Sequence, residues 1–142
     1  MGAEHGPTVG DLMTTDLVTI ASNASLQEAA RLMEGHHVSG LPVVDTTGTL
    51  VGVISQTDLL RSQATEHLWT KWPGLAVRHL MTSPAVTVVQ STPVAEAAAL
   101  MERRRIHRVV VVSDDDESRP VGILSTSDLV RVIAEGSANA TE

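Results

Sequence analysis

The chain has 142 residues and a formal net charge of −7, which argues against a general nucleic-acid-binding or anionic-membrane-binding surface. With 42% hydrophobic and 19% charged residues, it has enough apolar material for a buried core. Cysteine, tyrosine and phenylalanine are absent, which excludes thiolate metal sites and leaves little aromatic stacking for nucleic acid. No stretch approaches the roughly 20 apolar residues of a membrane span. We therefore expect a soluble cytoplasmic protein with no nucleic-acid or membrane partner.

The sequence contains an internal repeat. Val9-Gly-Asp-Leu-Met-Thr14 returns as Val77-Arg-His-Leu-Met-Thr82, at an offset of 68 positions. Val51-Gly-Val-Ile-Ser-Gln-Thr-Asp-Leu-Leu-Arg61 returns as Val121-Gly-Ile-Leu-Ser-Thr-Ser-Asp-Leu-Val-Arg131, at an offset of 70. Because Gly, Asp and Met recur in register, the similarity is a duplication and not a coincidence of composition.

Each half predicts the element order β-α-β-β-α. The first half has a short apolar segment at 17–20, a helix after the capping box Ser25-Leu-Gln-Glu28, strands at 41–44 and 51–54, and a last helix from Ser55. The second half has the corresponding segment at 85–89, a helix with Pro93 at its first position, strands at 109–112 and 121–124, and a last helix from Ser125. Apolar stripes predict the buried faces of the two longer helices: Leu26, Ala29, Ala30, Met33 and Val94, Ala97, Ala98, Met101.

The fold class is therefore mixed α/β (α+β), with two tandem repeats. A half of about 60 residues buries too little surface to be stable alone, so we expect the halves to pack about a pseudo-two-fold axis. The predicted organisation is a flexible N-terminal tail at 1–8, a first repeat at 9–61, a linker at 62–76, a second repeat at 77–134 and a flexible C-terminal tail at 135–142. Trp69 and Trp72 in the linker either cover the core or contact a partner.

Three duplicated or distinctive motifs carry a family resemblance. They are Met-Thr near the start of each half, Val38-Ser-Gly-Leu-Pro-Val-Val-Asp45, and Gly-x-x-Ser-x-x-Asp in both halves. Together they resemble a tandem pair of cystathionine-β-synthase (CBS) domains, a Bateman module, over residues 9 to 134. The resemblance implies a stand-alone regulatory protein, commonly a homodimer, with no tightly bound cofactor. It implies that AMP, ADP, ATP or S-adenosylmethionine binds as a regulatory ligand in two clefts between the repeats.

Asp58 and Asp128 each stand where a predicted strand ends and a helix begins. A carboxylate at this point can accept hydrogen bonds from both hydroxyls of a ribose. Ser55 and Ser125, three residues earlier, can donate to a phosphate beside the helix N-terminus, where backbone N–H groups favour an anion. The alternative interpretation is that these serines and aspartates only cap the helices.

The resemblance implies that each cleft takes residues from both halves. One cleft is expected to contain Thr14, Val18, Val38, Ser39, Gly40, His107, Ser125, Ser127 and Asp128. The other is expected to contain Ser55, Thr57, Asp58, Thr82, Val86, Ile106 and Arg108. Because Arg108 stands where the first set has Gly40, we expect the clefts to differ in affinity.

Arg103-Arg-Arg-Ile-His-Arg108 is the one basic cluster of the sequence. Arg108 and His107 suit phosphate binding, as does Arg105. Arg103 and the next arginine are explained more simply, because cations in a last helical turn complement the helix dipole.

No motif of a known enzyme class is present: there is no Gly-x-Ser-x-Gly elbow, no His-Glu-x-x-His and no phosphate-binding loop. His36-His37 and Asp114–Glu117 lack the ligand spacing of a metal site. We therefore expect a sensor that binds an adenosine-containing ligand and signals to a separate, unknown protein effector by a population shift. The alternatives are a ligand-free dimerisation or interaction module and an enzyme of unrecognised type.

Overall fold

The computed structural model describes residues 6–64 and 75–135, so Trp69 and Trp72 lie outside the described residues. The elements are α1 (Val9–Leu12), β1 (Ile20–Ala21), α2 (Leu26–His36), β2 (Gly40–Val44), β3 (Leu50–Ser55), α3 (Gln56–Ala64), α4 (Val77–Leu80), β4 (Thr87–Val89), α5 (Val94–Arg104), β5 (Arg108–Val112), β6 (Pro120–Ser125) and α6 (Thr126–Glu135). Within these ranges, no helix combines the length and apolarity needed to cross a bilayer.

Two three-stranded sheets with the same topology confirm the predicted mixed α/β class. Their strand orders are β1-β2-β3 and β4-β5-β6. In each sheet the first pair is parallel and the second is an antiparallel hairpin. Both hairpins have a register shift at the end of their first strand, between Val43 and Val44 and between Val111 and Val112. Residues 109–112 are all buried, as their continuous β-branched run predicts.

The compact units of the structure do not coincide with the sequence repeats. One unit contains residues 18–85, and the other contains 1–17 together with 86–142. Helix α1 of the first repeat belongs to the second unit, where the N–H of Val9 donates to the carbonyl of Thr92 at 2.7 Å. Helix α4 belongs to the first unit, where the N–H of Val77 donates to the carbonyl of Ala24 at 2.8 Å. Each unit therefore takes its short N-terminal helix from the other repeat.

Each unit has its own hydrophobic cluster, and each cluster contains a valine from one of the two exchanged helices. The cluster of the first unit is formed by Ile20, Ala29, Met33, Leu41, Val43, Ile54 and Val77. That of the second unit is formed by Val9, Ala97, Met101, Val109, Val111 and Leu124. Val9 and Val77 have no exposed surface, so the exchanged segments are part of the two cores.

Two local details differ from the sequence predictions. Pro93 caps α5 and is not its first helical residue, because its ψ of 141° is extended. Ala30 is exposed, because it lies one position beyond the buried alanine of α2 and so off the buried face. Before α1, the carbonyl of Pro7 accepts from the N–H of Val94 at 3.0 Å, and Thr8 bridges to Pro93; the flexible tail at 1–8 stays a prediction.

Candidate functional site

In each unit a buried aspartate closes the turn between the hairpin and the last helix. Asp128, which is 5% exposed, accepts at Oδ2 from the N–H of Ser125 at 2.8 Å and from its hydroxyl at 3.1 Å. The N–H of Asp128 donates to Ser125 Oγ at 3.2 Å. This reciprocal arrangement is a capping box with aspartate in the third helical position.

The same turn is formed a second time at Asp58, which is 3% exposed. Its Oδ2 accepts from the N–H of Ser55 at 2.9 Å and from the hydroxyl at 3.1 Å, and its own N–H donates to Ser55 Oγ at 3.3 Å. Both helix caps that the alternative interpretation predicts are therefore formed. They also fix a carboxylate at each strand-to-helix junction.

The second oxygen of each carboxylate pairs with an arginine one turn later. Asp58 Oδ1 lies 3.2 Å from Arg61 Nη1, and Asp128 Oδ1 lies 3.2 Å from Arg131 Nη2. The arginine side chains are 59% and 54% exposed. Sequence reasoning missed these residues, although Asp-x-x-Arg recurs in both repeats at a spacing that brings two helical side chains together.

The start of the neighbouring strand lies beside each turn. In one unit the carbonyl of His107 accepts from the N–H of Thr126 at 2.9 Å, and Arg108 is opposite Ser125 in the hairpin register. In the other unit the carbonyl of Ser39 accepts from Gln56 at 2.9 Å, and Gly40 is opposite Ser55. The residues matched in the two repeats thus occupy equivalent positions in the two units.

The predicted cleft sets each divide between the units. From the first set, Thr14, His107, Ser125, Ser127 and Asp128 belong to one unit, and Val18, Val38, Ser39 and Gly40 to the other. From the second set, Ser55, Thr57, Asp58 and Thr82 belong to one unit, and Val86, Ile106 and Arg108 to the other. The grouping of residues from both units stays a prediction.

Two glycines allow the Met-Thr segments to lie against the hairpins of their own units. A Cβ built on Gly122 would lie 2.6 Å from Met13 Sδ and 2.8 Å from the carbonyl oxygen of Thr14. The N–H of Thr14 donates to the carbonyl of Ile123 at 3.0 Å. Gly52 has the same close contacts with Met81 and Thr82. The glycines of the motif therefore serve a close approach of backbone segments.

The basic cluster is spread over three kinds of position. Arg103 and its neighbour occupy the last turn of α5, as the helix-dipole interpretation requires. Arg105 caps the helix with a left-handed φ of 55°, and Arg108 begins β5 directly after His107. Arg105 and His107 line an open groove of about 440 Å³, together with Ala98, Met101, Glu102, Ile106, Thr126 and Leu129. Across 6–64 and 75–135, no three His, Asp or Glu side chains form a group able to hold a metal ion.

A sequence model of the CBS domain matches residues 9–65 and 77–135. The chain belongs to the CBS domain family. Its duplicated turns and sheets are those of a CBS pair, a Bateman module. It is similar to the CBS domain pair of protein MJ0100, solved in complex with 5′-methylthioadenosine and S-adenosyl-L-methionine, at 30% identity and a TM-score of 0.80, covering 90% of this chain and 96% of that chain. It is also similar to CBSX2 in complex with AMP, at 36% identity and a TM-score of 0.79, covering 93% and 99%.

Curated relatives share the CBS pair within longer proteins. Homoserine O-acetyltransferase of Methanocorpusculum labreanum is 37% identical over 122 residues, which are 86% of this chain and 23% of that protein. The chloroplastic CBS domain-containing protein CBSX2 of Arabidopsis thaliana is 34% identical in an alignment of 152 positions, which covers 89% of this chain and 63% of that protein. The chain spans about a quarter of the length of the enzymes it matches.

Proposed function

We propose that this CBS pair is a regulatory module that binds adenosine-containing ligands through Asp58 and Asp128 and signals to a separate protein by a conformational change. The observation that carries the proposal is the duplicated turn, which holds a buried carboxylate at a helix N-terminus in both units. Two CBS pairs with at least 30% identity to this chain are named as complexes with AMP or with S-adenosylmethionine and methylthioadenosine.

The chemistry of the turn suits a nucleoside with an anionic tail. An ionised carboxylate accepts hydrogen bonds from the ribose hydroxyls, and the first N–H groups of α3 and α6 favour a phosphate. Thr57 and Ser127 are exposed in the first turns of these helices, where their hydroxyls are available as further donors. In the predicted cleft sets His107 accompanies Asp128 and Arg108 accompanies Asp58, so each site has one basic side chain that suits a phosphate.

A ligand-free interaction module is the second candidate function. Leu60 in α3 and Val130 and Ile133 in α6 are 70%, 63% and 71% exposed. Apolar side chains on these helices favour association with another protein surface, such as that of a second copy. A homodimer, a protein effector, the absence of enzymatic activity and a cytoplasmic location stay predictions of the sequence.

A thermal-shift panel separates the two functions. The purified chain is heated with ATP, ADP, AMP, S-adenosylmethionine or methylthioadenosine, in parallel with Asp58→Ala and Asp128→Ala variants. A ligand at about 100 times its Kd adds roughly 2.7 kcal/mol to the free energy of unfolding, so the sensor gains several degrees in Tm. Loss of that gain in an aspartate variant supports the proposal. An unchanged Tm with every adenosine compound refutes it in favour of the interaction module.

A further inference from the structure

The carboxylate of Asp128 is nearly saturated by groups of its own unit. Its Oδ2 accepts two hydrogen bonds from Ser125, and its Oδ1 contacts Arg131 at 3.2 Å. A carboxylate offers about four lone-pair sites to donors, so about one acceptor site remains, on Oδ1. A ribose diol that uses both hydroxyls needs two. One of the three existing donors must therefore leave when the diol binds.

The three donors differ in how easily they can be released. The N–H and the hydroxyl of Ser125 form the cap that starts α6, and an unsatisfied backbone N–H at this half-buried turn is costly. The Arg131 side chain is 54% exposed and makes a single contact with the carboxylate. Of the two partners only the arginine is exposed, so water can solvate the released guanidinium, while the ribose hydroxyls replace its hydrogen bond to the buried carboxylate. Arg131 is the donor whose release costs least.

We propose that ribose binding displaces Arg131 from Asp128, so that this arginine is an internal competitor that sets the affinity of the site. Arg61 makes the matching contact with Asp58 Oδ1, also at 3.2 Å. The inference rests on the proposed function, since it assumes that these carboxylates bind ribose. Binding then releases the half-exposed Arg131 guanidinium of α6 from the carboxylate, a change that a partner protein can detect.

Titration calorimetry with adenosine tests the competition. Adenosine is uncharged at neutral pH, so the salt dependence of its affinity reports on the ion pair and not on a phosphate. The measurement is made in an Asp58→Ala background, so that Asp128 is the one remaining proposed ribose site. In this background Arg131→Met removes the competing guanidinium and keeps an unbranched side chain. We expect a gain in affinity of about two- to fivefold at about 20 mM NaCl, which disappears at about 0.5 M because salt screens the pair. Arg103→Met, which removes an exposed charge of the same unit, leaves the affinity unchanged.

The outcomes distinguish a failure of the proposed competition from a failure of the proposed function. Binding by the Asp58→Ala variant without a gain when Arg131→Met is added overturns the competition and leaves the proposed function intact. Weaker binding by Arg131→Met also overturns it, because the arginine would then hold the carboxylate in place for the ligand. If the wild type binds no adenosine compound at millimolar concentration, the proposed function fails, and the inference fails with it. A cooperative thermal melt of each variant without ligand confirms that it folds, although the Asp58→Ala background melts at a lower temperature because it lacks a helix cap.

Discussion

Gly122→Ala tests the packing of the Met-Thr segment on its hairpin. The added Cβ would lie 2.6 Å from Met13 Sδ and 2.8 Å from the carbonyl oxygen of Thr14. The methionine side chain can move, but Thr14 belongs to a backbone bridge with Ile123, so relief of the clash weakens that bridge. Such overpacking costs about 1–3 kcal/mol, and a lower entropy of the unfolded chain offsets about 0.4–1 kcal/mol of it.

We therefore expect Gly122→Ala to lower the free energy of unfolding by about 1–2 kcal/mol, or Tm by about 3–8 °C. Urea denaturation and a thermal melt measure both. Gly35→Ala is the matched control, because its added Cβ in the exposed part of α2 has no atom within 4 Å other than those of its chain neighbours and its own helix backbone. This change is expected to stabilise by about 0.5–1 kcal/mol. A Gly122→Ala variant as stable as the control refutes the proposed close approach.

Three further changes test other parts of the structure. Val9→Ala removes two fully buried methyl groups and should lower the free energy of unfolding by about 2 kcal/mol. Because Val9 packs in the second unit, amide hydrogen exchange should speed up more in β5 and β6 than in β2 and β3. Equal acceleration in both sheets contradicts the packing of α1 on the second unit. Arg105→Gly relieves a left-handed φ of 55° and should stabilise by about 0.5–1 kcal/mol, seen as a higher urea midpoint; a lower midpoint refutes the strain argument. The Thr47 hydroxyl lowers the pKa of Asp45 from its ordinary 3.8, so this carboxylate stabilises the fold above that pH, and its contribution is lost as the pH falls below the folded-state pKa. The Tm difference between wild type and Asp45→Ala should therefore shrink as the pH is lowered from about 5 to about 2. A Tm difference that stays constant over this range contradicts the stabilising role of the ionised Asp45 carboxylate.

The features that follow from local sequence were predicted well. The β-branched run around Val110 predicts a buried strand, and Ser25 caps its helix as the capping-box spacing requires, accepting from the N–H of Glu28 at 3.0 Å. The Ser-x-x-Asp spacing also placed both aspartates in the first turn of a helix. These features depend on backbone preferences within a few residues, which a single sequence contains.

The features that depend on distant contacts were not predicted. Val9 and Val77 look like the first residues of their own repeats, yet each is buried in the core of the unit formed mainly by the other repeat. Two equivalent repeats offer equivalent docking surfaces, so the sequence alone does not decide which hairpin receives which segment. Arg131 was missed for a different reason: its pairing with Asp128 is local, but the functional interpretation treated the carboxylate as free to accept two hydroxyls.

Titration calorimetry of adenosine against 2′,3′-dideoxyadenosine tests most directly whether Asp58 and Asp128 bind ribose. The dideoxy compound keeps the base and lacks both hydroxyls. The comparison therefore changes the ligand and not the protein. A hydrogen bond to a charged group contributes about 1.5–3 kcal/mol, so we predict at least about tenfold weaker binding of the dideoxy compound to the wild type. In the Asp58→Ala, Asp128→Ala double variant the two compounds should bind equally and weakly. Equal binding of both compounds to the wild type would contradict a ribose-binding role for these carboxylates.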